Sequence, residues 1–340
     1  MSAATPQPSP QPSAPMVLDV RDLTTTFMSM KGPLVAVDGV NLSLRAGQAL
    51  GIIGESGSGK SVTALSLVRL LPPRATTISA SRLAIAGQET TGLSPDELAD
   101  IRGRLVGMIF QDPMTALNPT MRIGEQIAET ARRHLSMSRE QAHAHAVAML
   151  EKVRIPEARK RADAYPHEMS GGMLQRAMIA MGLSCSPRLI IADEPTTALD
   201  VTIQLQILKL IGGLCRETGT SLMLISHDFG VVASLVQRVM VMYAGQTVEQ
   251  GAVQDIFRDA YHPYTQGLIN SMPGGGRDFS GGRRRLAEIP GTMPSLSNPP
   301  AGCRFMARCP RAMEVCRTPP PVVPMPNDRE VRCWLYAARQ

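Results

Sequence analysis

Hydrophobic and polar positions alternate near the start of the chain. In "MVLDVRDLTTTF" (16–27) and "AVDGVNLSLRAG" (36–47) they take turns, the mark of strands with one buried face. "ALGIIG" (49–54) is instead a short unbroken apolar run, suited to a strand covered on both faces. "GKSVTALSLVRLL" (59–71) switches to helical spacing. Residues 112–185 keep that spacing in "RIGEQIAETARRHL", "SREQAHAHAVAMLEKV" and "GGMLQRAMIAMGLS", with no convincing strand between them. Buried-strand texture then returns in "RLIIAD", "TSLMLISHD" and "RVMVMYAG".

Strands alternating with helices predict an α/β unit with a mostly parallel sheet. An antiparallel β region near the N-terminus and a helical insertion at about 112–185 complete it. The textures divide the chain into a tail at 1–15, a core at 16–260 and an extension at 261–340. The tail "MSAATPQPSPQPSAP" has no basic n-region and no apolar h-region, and its Pro, Ser and Ala content predicts disorder. The extension holds 12 prolines, too many for regular sheet or long helices. Something other than a large core is expected to hold it.

Composition changes this picture in two places. No apolar run approaches the 18 or so residues of a membrane span, so a cytoplasmic protein on a membrane partner is expected. The net charge of +6 lies entirely in residues 261–340, with 11 Arg and no Lys against 5 acidic residues. A basic patch suits nucleic acid or a membrane surface, but this one overlaps four of the six cysteines.

Gly54-Glu-Ser-Gly-Ser-Gly-Lys60-Ser61 fits G-x-x-x-x-G-K-[ST] between a predicted strand and a predicted helix. Its glycines let backbone amides converge on phosphate oxygens. Lys60 adds a point charge at the β and γ phosphates, and the Ser61 hydroxyl can reach Mg²⁺. In "RLIIADEP" Asp193 ends an apolar strand, where it can hold the Mg²⁺ water shell, and Glu194 can polarise an attacking water. His227 ends another apolar strand and is expected at the γ-phosphate. Gln111, after "GMIF", is expected at Mg²⁺ or the attacking water. A second Gly-rich cradle, Ser170-Gly171-Gly172, opens a helix inside the helical insertion.

In order, Gly54–Ser61, Gln111, Ser170–Gly172, Leu189–Asp193, Glu194, Ala198-Leu199-Asp200 and His227 resemble an ABC-type ATPase over residues 16–260. They match its Walker A, Q-loop, signature, Walker B, catalytic glutamate, D-loop and switch histidine. The resemblance implies that Ser56, Gly57, Ser58, Gly59 and Val62 also bind nucleotide, with Phe27 stacked on adenine. It implies a head-to-tail pair of ATPase subunits, so that Ser170, Gly171 and Gly172 serve the partner's ATP. The signature departs from the usual form, with Met169 for Leu and Met173 for Gln.

"HPYTQGLINSMP" and "IPGTMPSLSNPPAGCRFMARCP" resemble the extension of oligopeptide, dipeptide and nickel ABC importers. "FQDPMTALNP" and "SGGM" are similar to the first of their two paired ATPase subunits. Cys303, Cys309, Cys316 and Cys333 are spaced C-x5-C-x6-C-x16-C, wider than the C-x2-C knuckles of structural zinc. Some members of that family carry a [4Fe–4S] cluster here, so the resemblance implies one. Zinc and free thiols remain alternatives, and nearby arginines are expected to balance thiolate charge. Cys185 and Cys215 read as packing residues. His143 and His145 lie on different helix faces and read as solvated.

The expected function is ATP hydrolysis that powers di- or oligopeptide uptake from the cytoplasmic face of a bacterial inner membrane. The expected partners are a second ABC ATPase, two permease subunits and an extracytoplasmic binding protein, without nucleic acid. Nickel or another small solute as cargo, and a soluble ABC ATPase acting on nucleic acid, are the alternatives.

Overall fold

A computed structural model describes residues 14–30, 32–196, 200–272 and 289–337. Most of the expected N-terminal tail, and Ala198–Leu199 of the D-loop, lie outside them. Strands β1 (Met16–Ser29) and β2 (Gly32–Arg45) pair antiparallel along their length. Strand β3 (Ala49–Ile53) is wholly buried, and helix α1 (Lys60–Leu67) follows the Gly-rich loop. Strands β4 (Thr76–Ser79), β5 (Arg82–Ile85) and β6 (Gln88–Glu89) join β1 and β2 in an antiparallel five-stranded sheet. Helix α2 (Pro95–Arg104) then leads into β7 (Val106–Ile109).

From Gln111 to Cys185 the described chain is helix and loop. It contains α3 (Pro113–Ala116), α4 (Ile123–Leu135), α5 (Arg139–Lys152), α6 (Ala158–Ala162) and α7 (Gly171–Leu183). Local signals set the boundaries. Ser138 and Gln141 form a capping box at α5, and Ser170 caps α7. The buried apolar side chains of α4 (Ile123, Ile127, Ala128, Ala131) fall on one helical face. His145 departs from expectation. Its Nε2 lies 2.8 Å from the Ser184 carbonyl, so it ties α5 to the end of α7 and is not simply solvated.

The remaining elements are β8 (Leu189–Asp193), α8 (Val201–Thr218), β9 (Ser221–Ser226), α9 (Phe229–Ala233), β10 (Arg238–Tyr243) and β11 (Gln246–Ala252). Helix α10 (Val253–Arg258) leads into the extension, which opens with α11 (Pro263–Asn270). Strands β10, β3, β9, β8 and β7 lie side by side and parallel. Their unbroken apolar runs follow from burial on both faces. Leu189 and Ile191 of β8 enter one hydrophobic cluster, and Ile190 and Ala192 enter the other. Cys185 and Cys215 are buried, as packing residues should be.

The extension is more regular than its prolines suggest. Strands β12 (Val322–Met325) and β13 (Arg329–Arg332) extend the parallel sheet through β11, before a short α12 (Trp334–Ala337). Pro324 is tolerated because β12 is the outermost strand on that side. The attachment is partly ionic. Arg329 and Glu249 are 4% and 0% exposed and pair at 2.9 Å. Glu249 also accepts the Tyr261 and His262 amides, and Arg329 lies over the Tyr261 ring. Shared hydrogen bonds of this kind are what a buried ion pair needs to offset desolvation.

Candidate nucleotide site

The site forms where strands β3, β8 and β9 end. Parallel pairing aligns Ile53 with Ser226 and Asp193 with Ile225. The loop after β3 and the residues after β8 and β9 must therefore emerge at one edge of the sheet. The chain turns there through Gly54 to Gly59. An added Cβ on Gly54 would sit 2.2 Å from the Met242 carbonyl, so this position has no room for a side chain. Gly59 caps α1 at φ 101°, a left-handed conformation that favours glycine. No side chain caps α1, and the first amides of a helix have no intrahelical acceptor. The amides of Lys60, Ser61 and Val62 therefore make an anion site.

Lys60 is 4% exposed. Its Nζ donates to the Gly54 and Glu55 carbonyls at 2.8 and 2.9 Å and lies 3.9 Å from Glu194 Oε1. Burial lowers its pKa, opposed by Glu194, Asp193 and Glu55. The Ser61 hydroxyl donates to Asp193 Oδ1 at 2.9 Å. A hydroxyl and a carboxylate are hard oxygen donors of the kind Mg²⁺ takes, so this pair fits the ion. Burial raises the Asp193 pKa above the usual carboxylate range, while the Ser61 bond pulls it back.

Glu194 has φ 43°, an uncommon conformation for a non-glycine residue, and its amide is fixed to the Ile225 carbonyl at 3.0 Å. Gln111 Nε2 and His227 Nδ1 each lie 3.4 Å from Glu194 Oε2. Gln111, Lys60, Ser61, Asp193, Glu194 and His227 thus meet, although 167 positions separate Lys60 from His227 in sequence. Ser58 is buried with its hydroxyl unpartnered, while Ser56 and Gly57 are exposed at the loop's tip. The Val62 side chain packs against the core. Phe27 is half-buried near the end of β1 and joins neither core cluster.

Ser170 accepts the Met173 amide at 3.4 Å and is exposed. An added Cβ on Gly171 would meet nothing within 4 Å. The second cradle is therefore a capped helix start open to solvent. Asp200 caps α8.

Sequence patterning missed a second ring of contacts. Tyr264 Oη accepts the Glu55 amide at 2.9 Å across 209 positions, and Arg308 donates to Glu55 Oε2 at 2.9 Å across 253. No local motif marks such distant pairs.

Burial foremost raises the Cys303, Cys309 and Cys333 thiols, Cys333 to about 11. Cys333 is also raised by Cys303, Cys309 and Cys316. The Cys303 amide donates to the Cys316 carbonyl at 2.8 Å. Among the described residues no three His, Cys, Asp or Glu side chains close to metal-holding geometry. The arginines do not surround the thiols as expected. Arg304 pairs with Asp38, Arg308 with Glu55 and Arg317 with Glu314, and Arg332 donates to the Thr247 carbonyl. Arg311 alone among these five acts on a thiol, Cys309.

The ABC transporter family matches residues 37–197, which contain both cradles and the Glu194 carboxylate. A probable peptide ABC transporter ATP-binding protein of Sinorhizobium fredii is 51% identical over 95% of this chain and 96% of its own length. The chain belongs to the ABC transporter ATPases. The oligopeptide/dipeptide transporter C-terminal region matches residues 248–316 of this ABC ATPase. The oligopeptide transport ATP-binding protein OppD of Salmonella typhimurium is 49% identical to it, over 96% of this chain and 95% of the relative. Among solved structures, a dimeric post-hydrolysis state of the ATP-binding cassette MJ0796 bound to ADP and Pi aligns with TM-score 0.61 and 28% identity. It covers 69% of this chain and 98% of the cassette. No described helix is long and apolar enough to cross a membrane.

The raised Asp193 pKa gives a stability prediction. A group whose folded pKa is raised contributes stability below its unfolded pKa and loses it as pH climbs through the folded value. At neutral pH the buried carboxylate is therefore a cost in the nucleotide-free protein. Asp193→Asn should raise its melting temperature at pH 7. The gain should shrink towards about pH 4, where unfolded Asp protonates. Calorimetry across that range checks it.

Proposed function

We propose that this ABC ATPase powers uptake of di- or oligopeptides as the peripheral ATP-hydrolysing subunit of an importer on the cytoplasmic face of the cell membrane. The support for this cargo is the C-terminal region, residues 248–316, which matches that of oligopeptide and dipeptide transporters. Its partners are a second ABC ATPase, two permease subunits and an extracytoplasmic peptide-binding protein. Nickel or another small solute changes the cargo and not the mechanism.

The α1 amides and Lys60 hold the β and γ phosphates. Ser61 and Asp193 would hold Mg²⁺, which would supply charge neutralisation at the phosphates when bound. Glu194 takes the proton of the attacking water, and His227 and Gln111 fix its Oε2 at 3.4 Å each. Phe27 stacks on adenine. Ser170, Gly171 and Gly172 close on the partner subunit's ATP, which explains why an open, capped helix start lies outside the chain's own phosphate site. Phe110 follows β7 and precedes Gln111. It lines a groove of about 480 Å³ with Met121, Glu129 and Arg133, and the next residue, Gln111, reaches Glu194.

We further propose that Cys303, Cys309, Cys316 and Cys333 hold a [4Fe–4S] cluster. Four soft thiols in the extension are the donor set such a cluster takes, although no three of them close to metal-holding geometry among the described residues.

Glu194→Gln should keep ATP binding and lower turnover by about 100-fold or more, the worth of general base catalysis. Turnover at the wild-type rate would move the base elsewhere. Protein purified without oxygen should absorb broadly in the visible and carry about four irons per chain. A colourless chain, with zinc or without metal, would remove the cluster.

A further inference from the structure

The extension reaches the phosphate loop itself. Glu55, the second residue of that loop, is held at three atoms. Its amide donates to Tyr264 Oη, its carbonyl accepts from Lys60 Nζ, and its carboxylate takes Arg308 Nη1, at 2.9 Å each. Two of the three holders come from the C-terminal part of the chain. Arg308 is 6% exposed along its side chain. It is oriented by donating Nε to the Pro290 carbonyl at 2.8 Å and Nη2 to the Ile289 carbonyl at 3.2 Å. Tyr243 lies beside it, with its hydroxyl 3.4 Å from Nη1. Met293 adds a roof, since a Cβ built on Gly57 would lie 3.1 Å from its Cε.

This arrangement is a clamp on the loop's shape. The Glu55 carbonyl is one of the two that hold the Lys60 ammonium, so a shift of Glu55 moves that ammonium. A planar guanidinium fixed by carbonyls on one side presents its remaining nitrogen in one direction. Charge-assisted bonds of this kind, in a part-buried setting, are among the stronger ones a side chain makes. The rest of the extension has a separate anchor in the buried Arg329–Glu249 pair.

We propose that Arg308 is a positioning residue for nucleotide binding, acting through Glu55 to hold the phosphate loop in its binding shape. The proposal rests on the reading of Gly54–Ser61 as the nucleotide site. Its test uses the full chain and a fluorescent ATP analogue. Loss of one charged hydrogen bond corresponds to roughly tenfold in an equilibrium constant. Arg308→Ala and Glu55→Gln should each weaken binding by about that factor, and the double variant should weaken it no further.

Arg308→Lys separates positioning from mere support. Lysine restores a charge to Glu55 but not the fork to Ile289 and Pro290. It should recover most of the affinity while its melting temperature stays as low as that of Arg308→Ala. Affinity unchanged in Arg308→Ala, losses that multiply in the double variant, or affinity that tracks melting temperature across the series would each overturn the proposal. Lys60→Ala is the control. If it too bound like wild type, the nucleotide site itself would be misplaced, a different failure.

Discussion

Parallel pairing of β3, β9 and β8 is the constraint that creates the site. A register that sets Ile53 beside Ser226 and Asp193 beside Ile225 delivers three strand ends to one place. The groups beyond those ends, a glycine turn, an acidic pair and a histidine, are thereby brought together. Burial on both faces makes that register costly to slip, because one residue of shift would reverse every side chain between the two hydrophobic clusters. The chemistry is therefore held by apolar residues that never touch a ligand. Only short loops cross from the rigid sheet to the reacting atoms.

The same geometry puts strain where the chemistry is. Lys60 and Asp193 are buried with their charges, and Glu194 sits at φ 43°. Each has a cost that the surrounding sheet supports. The extension adds a further restraint from outside the core. Its own hold on the sheet is a two-strand addition and a buried Arg329–Glu249 pair.

Much of this was legible in the sequence, for definite reasons. Apolar runs ending in Asp193 and His227 betray strands buried on both faces. The helical spacing of 122–135 and 138–153 betrays the insertion. Glycines at 54, 57 and 59 mark a turn that other residues could not make. The missed features share a different property. Arg308 on Glu55, Tyr264 on the Glu55 amide and His145 on the Ser184 carbonyl are pairings between segments that carry no common period. Composition misled as well. Prolines suggested irregular structure, yet β12 pairs on one side only, and such a strand tolerates Pro324. Clustered arginines suggested thiolate partners, yet most had carboxylates or carbonyls waiting elsewhere in the fold.

We propose that this chain carries complementary halves of two nucleotide pockets and turns over only against another ATPase. Steady-state ATP hydrolysis, measured as the second ATPase subunit is titrated onto a dilute monomeric chain, tests it most directly. Turnover should be near zero alone, rise to saturation with the partner, and lose that rise when Ser170→Arg blocks the second cradle. A lone monomer hydrolysing at the full rate, or an assembled pair indifferent to Ser170→Arg, would contradict it.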